Sequence, residues 1–157
     1  MNYWDVQIVE KAVQGYVKSG CFSGNGSGIT KVTFVNADEK SRPHGAYDYV
    51  MIKTAVWDQE WEKDLDHYLP KTLSAIPEYR SNDIEKSQNK IQNLTAAVLN
   101  SGKINSPSFL DVPQGAKIRI ADGRHRIYLL RELGIDAFPA AVPNLIIPRL
   151  QDLGLLA

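Results

Sequence analysis

The residues best suited to chemistry form one short run, Asp122-Gly123-Arg124-His125-Arg126. The guanidinium groups of Arg124 and Arg126 carry forked N–H donors that match phosphate oxygens. The run lies between a strand-like segment and a segment with the apolar spacing of a helix, so we expect a helix to begin at about Arg124. Unpaired N–H groups at a helix start favour anions, and glycine lets a ligand approach closely. The pattern predicts a phosphate-binding helix start; a solvated helix end capped by Asp122 is the alternative.

The side chains of this run have more than one predicted role. Arg124 and Arg126 are two residues apart and cannot share a helical face. One would therefore hold the ligand while the other pairs with Asp122 or Glu132. Asp122 could instead cap the helix or orient a metal-bound water. His125 could donate to phosphate, shuttle a proton, or tie the turn together as a buried residue. Asp122 and His125 are therefore the candidate catalytic residues.

Composition narrows the class of protein. The chain has 157 residues, with 18 basic and 18 acidic residues and a formal net charge of +0. This balance excludes a global field that draws the chain to DNA or membrane, although it leaves room for a local basic patch. The one cysteine, Cys21, cannot form an internal disulfide, which fits a reducing compartment. Neither a membrane-length apolar run nor a signal-peptide pattern is visible. We expect a cytoplasmic protein without a membrane partner.

Local patterns predict the elements of the first half. The segment 4–17 mixes strand and helix periods, and 20–28 is a glycine- and serine-rich loop. Strands are expected over 29–35 and 47–55, separated by a polar loop over 36–45. A short helix that ends at Pro70 is expected from the helical spacing of Trp57, Trp61, Leu65 and Tyr68. Core packing is the default role for the two tryptophans, with a partner surface as the alternative.

The second half predicts helices alternating with strands, which makes the chain a mixed α+β domain. A long helix would be capped by Ser81, Asn82 or Asp83 and stopped by Asn100-Ser101-Gly102. Residues 107–121 are expected to form a hairpin, and a helix over 124–133 would end at Gly134. A strand over 135–142, at an edge or beginning near Pro139, and a short helix from Pro148 complete the domain. The long helix would bury a stripe of Ile84, Ile91, Leu94, Ala97, Val98 and Leu99.

The Asp-Gly-Arg-His-Arg run and the residues 127–139 after it resemble the signature of the ParB/sulfiredoxin superfamily. That signature is a strand, a Gly-x-x-Arg helix start, a small helix, Leu-Gly, and a strand introduced by proline. The clear match covers about residues 84–143. The resemblance implies one ParB/sulfiredoxin-like domain over 1–157, in which a small mixed sheet is flanked by helices and residues 1–45 are a variable N-terminal part.

Within the superfamily the chain looks most like the Osa-like plasmid fertility inhibition factors. The similarity rests on the aromatic-acidic stretch 56–61, on Tyr79-Arg80 and on 122–126. It implies binding of ATP or another nucleoside triphosphate, with Mg²⁺ as a candidate companion, through Gly123, Arg124, His125 and Arg126. Arg80 could reach this site, or it could have a surface role. Members of that group are associated with ATP hydrolysis, nuclease activity and suppression of conjugative DNA transfer. DNA and a conjugation-machinery protein are therefore candidate partners.

Departures from the family exclude some chemistries. Sulfiredoxins have a catalytic cysteine where this chain has Arg124, so sulfinic-acid reduction is not expected. About fifteen residues follow Pro143, too few for the helix-turn-helix domain of partition proteins. A non-catalytic module that blocks a machinery component by contact is the alternative function. No general base is obvious, which favours that alternative, whereas the intact phosphate-binding turn favours an enzyme. Solvated or capping roles rather than metal binding are expected for His44 and His67. Lys86 and Lys90 are expected at solvated positions of the long helix.

Overall fold

The structure, a computed structural model, describes residues 3–7 and 31–157. Strands and helices are mixed along these ranges, which confirms the α+β class. The predicted glycine-rich loop 20–28 and Cys21 lie outside the described residues, as does most of 4–17. The elements are β1 (Tyr3–Gln7), β2 (Lys31–Val35), β3 (Tyr47–Lys53), α1 (Thr54–Trp61), α2 (Ser81–Ser101), β4 (Lys103–Asn105), β5 (Ser108–Phe109), β6 (Ile120–Asp122), α3 (Arg124–Glu132), β7 (Ala137–Pro143) and α4 (Ile147–Asp152).

The strands form two small sheets. In the first, β2 lies between β1, which is antiparallel to it, and β4, which is parallel. In the second, the order is β3-β7-β5-β6. There β3 is antiparallel to β7, β5 is parallel to β7, and β6 is antiparallel to β5. The prediction that the strand over 135–142 lies at an edge or begins near Pro139 is wrong, because β7 begins at Ala137 and lies between β3 and β5. The strand β5 pairs with β7 at Ala141, so at Pro139 β7 is paired with β3 alone, which suits a residue without an N–H group.

The predictions around α1 need correction. The expected strand 47–55 ends at Lys53, because the chain turns into a helix at Thr54. That helix ends at Trp61 rather than at Pro70, and Leu65 is 65% exposed. The reason is visible in the backbone: Asp64 N–H donates to the carbonyl of Trp61, three residues back, and tightens the chain into turns. Trp57 and Trp61 are both buried, so their predicted core role is confirmed.

The long helix α2 is confirmed, but its predicted cap is wrong. Arg80 occupies the N-cap position and makes no capping hydrogen bond through its side chain, so the three predicted capping residues lie in the first turn. The helix ends at Gly102, whose φ of 69° is the left-handed conformation that glycine accepts without strain. The buried stripe includes Ile91, Val98 and Leu99 as expected, but also two polar residues, Ser87 and Thr95, whereas Ala97 is exposed.

The hairpin and α3 position the motif. The antiparallel pairing of β5 with β6 confirms the hairpin, although its ladder is limited to Ser108 opposite Asp122 and Phe109 opposite Ile120. Phe109 is buried and meets the ring of Trp57 edge-on at 4.8 Å, which anchors the hairpin to the core. α3 begins two residues after β6 ends, as predicted. In the described part of the chain, no helix has both the length and the apolar character needed to cross a bilayer.

Candidate phosphate-binding site

The turn between β6 and α3 brings two backbone segments unusually close. Gly123 occupies the N-cap position with a φ of 108°. A Cβ atom at this position would lie 2.9 Å from the Cβ of Pro107, so only glycine fits without displacing the chain. Gly123 makes no side-chain cap, and neither does Asp122, so the predicted capping role of Asp122 is wrong. The first intrahelical bond runs from Ile127 N–H to the carbonyl of Gly123, so the preceding N–H groups are available to an anion.

A cavity of about 610 Å³ opens at this helix start. Its wall contains the whole motif from Asp122 to Arg126, together with residues of α2 and of the segment around Asp64. Four of the lining side chains are lysine or arginine and two are aspartate, which gives a positive excess in a chain of zero net charge. The basic members are Lys90, Arg119, Arg124 and Arg126, and the acidic members are Asp64 and Asp122.

Arg124 is held by a carboxylate from α2. Its Nη1 and Nη2 atoms donate to Asp83 Oδ2 at 2.8 Å and to Oδ1 at 3.1 Å, a bidentate ion pair. Arg80 donates to the same Oδ2 at 2.8 Å, and its other amino group binds the carbonyls of Leu65 and Tyr68. Burial acts to raise the pKa of Asp83, but the hydrogen bonds from Arg124 and Arg80 lower it well below its usual range. Arg80 thus lies behind Arg124 and outside the cavity wall.

Arg126 is held by the hairpin. Its Nη2 atom donates to Asp122 Oδ2 at 2.8 Å, and its Nη1 atom donates to the carbonyl of Asn105 at 2.9 Å. The hydroxyl of Ser41 donates to the same Asp122 oxygen at 2.7 Å. Of the predicted pairings for the two motif arginines, Asp122 with Arg126 is therefore present. Glu132 lies instead beside Arg131, with its Oε1 atom 3.5 Å from Arg131 Nε.

His125 lies between the cavity and α2. Its Nε2 atom is 3.1 Å from the hydroxyl oxygen of Ser87. Burial and the nearby charge of Arg124 lower the pKa of His125 to about 4. The imidazole is therefore neutral near pH 7 and is a weak proton acceptor. Two of the roles predicted for His125 agree with a neutral imidazole: donation of a hydrogen bond, and a structural role. The observed structural contact is with Ser87 of α2 rather than within the turn.

Three residues of the site were not singled out by the sequence pattern. Asp83 was considered only as a helix cap, although it is the anchor of both Arg80 and Arg124. Lys90 was predicted to be a solvated helix position. It is exposed, as predicted, but it also lines the cavity. Arg119 lies on the segment that leads into β6, where a basic residue close before the motif was a usable signal. The predicted solvent role of His67 needs refinement, because its Nδ1 atom is 3.1 Å from Asp64 Oδ1 in the same wall.

The aromatic-acidic stretch reaches the cavity through Trp61, whereas its Asp58 lies against the other end of α3. Arg131 Nη1 donates to Asp58 Oδ1 at 2.7 Å, and its Nη2 atom donates to the carbonyl of Leu69 at 2.8 Å. Its guanidinium carbon lies 5.0 Å from the ring centroid of Tyr128 and 5.8 Å from that of Tyr68. This is cation–π geometry, so the stretch packs an arginine into the core.

The described residues include no group of three metal-binding side chains. Asp122 is nonetheless suited to sharing a cation with a phosphate ligand, since its side chain is 47% exposed and no described residue donates to its Oδ1 atom. Magnesium is commonly held by one or two carboxylates together with substrate phosphates and water. Comparison with protein-family models, with curated proteins and with solved structures found no match to this chain.

Proposed function

We propose that the chain binds a nucleoside triphosphate, with its phosphate groups at the start of α3. The observation that carries this proposal is the positive excess of the cavity wall at the start of α3. The helix dipole adds partial positive charge at the same point. A volume of about 610 Å³ lies within the range of pockets that hold small organic ligands. The resemblance to the ParB/sulfiredoxin superfamily, whose fold we propose for this chain, points to the same class of ligand.

Each motif residue has a role in this proposal. The N–H groups of residues 124–126 would donate to phosphate oxygens, which are strong acceptors. His125, neutral near pH 7, would donate or accept without adding charge. Mg²⁺ would bind through Asp122 and the phosphates, and it would supply neutralisation of the phosphate charge. Asp122 is thereby a metal-holding residue and a candidate for orienting an attacking water.

The wider function follows from the closer resemblance to plasmid fertility inhibition factors. We propose that the nucleotide-bound chain suppresses conjugative DNA transfer, either by hydrolysing the nucleotide and cutting DNA or by contacting a component of the transfer machinery. DNA cleavage is tested on single- and double-stranded DNA, with Mg²⁺ and with a chelator. Cleavage that a chelator abolishes supports the nuclease. Intact DNA under both conditions rejects it.

A second candidate function is favoured by the state of the two candidate catalytic residues. His125 has a pKa of about 4 and is a weak base at pH 7. Asp122 already accepts hydrogen bonds from Arg126 and Ser41 on one oxygen. Both observations weaken proton abstraction from an attacking water. They favour a module that binds a nucleotide without turnover and acts by protein contact.

Calorimetric titration of the full chain with ATP, CTP and GTP, each with Mg²⁺, tests the proposal. We expect saturable binding of at least one triphosphate and no binding of the matching nucleoside, because the contacts are to phosphate. A phosphate-release assay on the bound nucleotide distinguishes the two candidate functions, because only an enzyme releases inorganic phosphate. Triphosphate and nucleoside behaving alike would refute phosphate binding.

A further inference from the structure

The four basic residues of the cavity wall differ in how their charges are already used. Arg124 makes a bidentate ion pair with Asp83. Arg126 makes an ion pair with Asp122 and donates to backbone carbonyls at Asn105. A guanidinium group has five N–H donors. Arg124, which also donates to the carbonyl of His67, makes three hydrogen bonds in all, and so does Arg126. The two motif arginines therefore hold the turn in place and make the cavity more positive, but they offer a ligand few free hydrogen-bond donors.

Lys90 and Arg119 are in the opposite state. Both line the cavity and both are exposed. Among residues 31–157, neither side chain makes an ion pair or a hydrogen bond. The backbone of each is hydrogen-bonded: Lys90 lies within α2, and the carbonyl of Arg119 accepts a 2.8 Å hydrogen bond from Leu110 N–H in the hairpin. Two uncommitted cations thus face one cavity from two different elements.

We infer that Lys90 and Arg119 are the side chains that bind the ligand's phosphate chain, and that Arg124 and Arg126 are positioning residues. This inference rests on the proposed nucleotide-binding function and deepens it. A polyphosphate chain carries negative charge on several phosphates and can therefore contact cations on two elements at once, whereas a monophosphate carries its charge on one group. The ligand class is therefore a polyphosphate chain, as in a nucleoside triphosphate, and a monophosphate binds more weakly.

Calorimetric titration with sodium tripolyphosphate and with orthophosphate, without metal, isolates the phosphate contacts from those of a base or sugar. The variants are Lys90→Ala, Arg119→Ala and the double substitution. Lys86→Ala and Lys117→Ala are matched controls, because each is an exposed lysine near a test residue but outside the cavity wall. Lys90→Arg and Arg119→Lys restore the charge. Thermal unfolding of every variant reports the folded state.

We expect wild type to bind tripolyphosphate more tightly than orthophosphate. Each single alanine variant should weaken tripolyphosphate binding about tenfold at unchanged Tm, as the loss of a charge-assisted hydrogen bond predicts. The two control variants should stay within about twofold of wild type, and the charge-restoring variants within about threefold. Arg126→Ala should lower Tm and weaken binding together, as a positioning residue does.

The outcomes separate this inference from the proposed function. Wild-type binding of triphosphates that survives the double substitution overturns the inference and leaves the proposed function intact. Equal losses in the control variants also overturn it, because they show a general charge effect. No binding of tripolyphosphate or of any triphosphate by wild type overturns both.

Discussion

The two ends of α3 use arginine in opposite ways. At its C-terminal end, the positive charge of Arg131 interacts favourably with the negative end of the helix dipole. The Arg131 side chain is only 7% exposed. It is enclosed by Asp58, a backbone carbonyl and aromatic rings. At the N-terminal end, Arg124 and Arg126 oppose the positive end of the dipole. Each needs a carboxylate beside it, and both border an open cavity.

This difference indicates where the helix serves stability and where it serves binding. Arg131, placed with the dipole and enclosed by rings, has a structural role, because its removal leaves the Asp58 carboxylate without its cation. Arginines placed against the dipole weaken the helix unless an anion compensates. Asp83 and Asp122 compensate for two of the four cations in the cavity wall, and a ligand anion would complete the balance.

Substitution of Arg131 by methionine should give the largest effect. The change keeps an apolar stem against the rings but leaves Asp58, whose side chain is 19% exposed, without its cation. We expect a loss of about 3 kcal/mol in the free energy of unfolding, as for other enclosed ion pairs that lose one partner. Urea denaturation measures it. Arg149→Met is the matched control, because Arg149 donates a hydrogen bond to the carbonyl of the exposed Pro113 and has no ion pair with a described residue. A loss as large there would contradict the comparison.

The carboxylate that holds Arg124 should give a smaller, pH-dependent effect. The pKa of Asp83 is lowered in the folded state, so the unfolded chain takes up the proton first as the pH falls. The stabilisation is therefore complete above the unfolded pKa, near pH 4, and is lost below it. Asp83→Asn should cost about 2 kcal/mol at pH 7 and progressively less below pH 4. Urea denaturation between about pH 2.5 and about pH 7 tests it.

Glu85→Gln on the same helix is the control for Asp83, since Glu85 is exposed and has no ion pair with a described residue. Its stability should follow that of wild type at every pH. If Asp83→Asn kept the full difference at low pH, the ion pair with Arg124 would not be the cause.

His125 should give a third, smaller effect in a different pH range. Its folded pKa of about 4 lies below its ordinary value of 6.5, so the unfolded state binds more protons between these values. Stability therefore rises with pH across this window and falls as the pH drops through it. Because the His125 side chain is only partly enclosed, we expect the unfolding free energy to change by about 1 kcal/mol across this window through His125. His125→Gln should flatten the unfolding free energy between those pH values, whereas His44→Gln, at an exposed position, should not.

The sequence predicted the secondary structure around this site better than the long-range ion pairs of its side chains. Apolar spacing and the Asp-Gly turn located α3, its glycine start and the hairpin before it, because these depend on neighbours in the chain. The pairing of Arg124 with Asp83 joins residues 41 positions apart, and no local pattern encodes it. Likewise, α1 was predicted too long, since its end at Trp61 depends on how the following turns pack.

Ser41 provides the smallest and most direct test of the comparison. Its hydroxyl donates to the same Asp122 oxygen that receives Arg126, but at an exposed position where water can replace it. Ser41→Ala should therefore cost only about 0.5 kcal/mol in the free energy of unfolding, measured by urea denaturation. Ser74→Ala is the control, because Ser74 is exposed and its side chain makes no hydrogen bond with a described residue. Because Arg126 keeps Asp122 in place, we expect the turn to hold without Ser41. A loss comparable to that of Arg131→Met would mean that the start of α3 is as tightly interlocked as its end, and the division between a binding end and a structural end would fail.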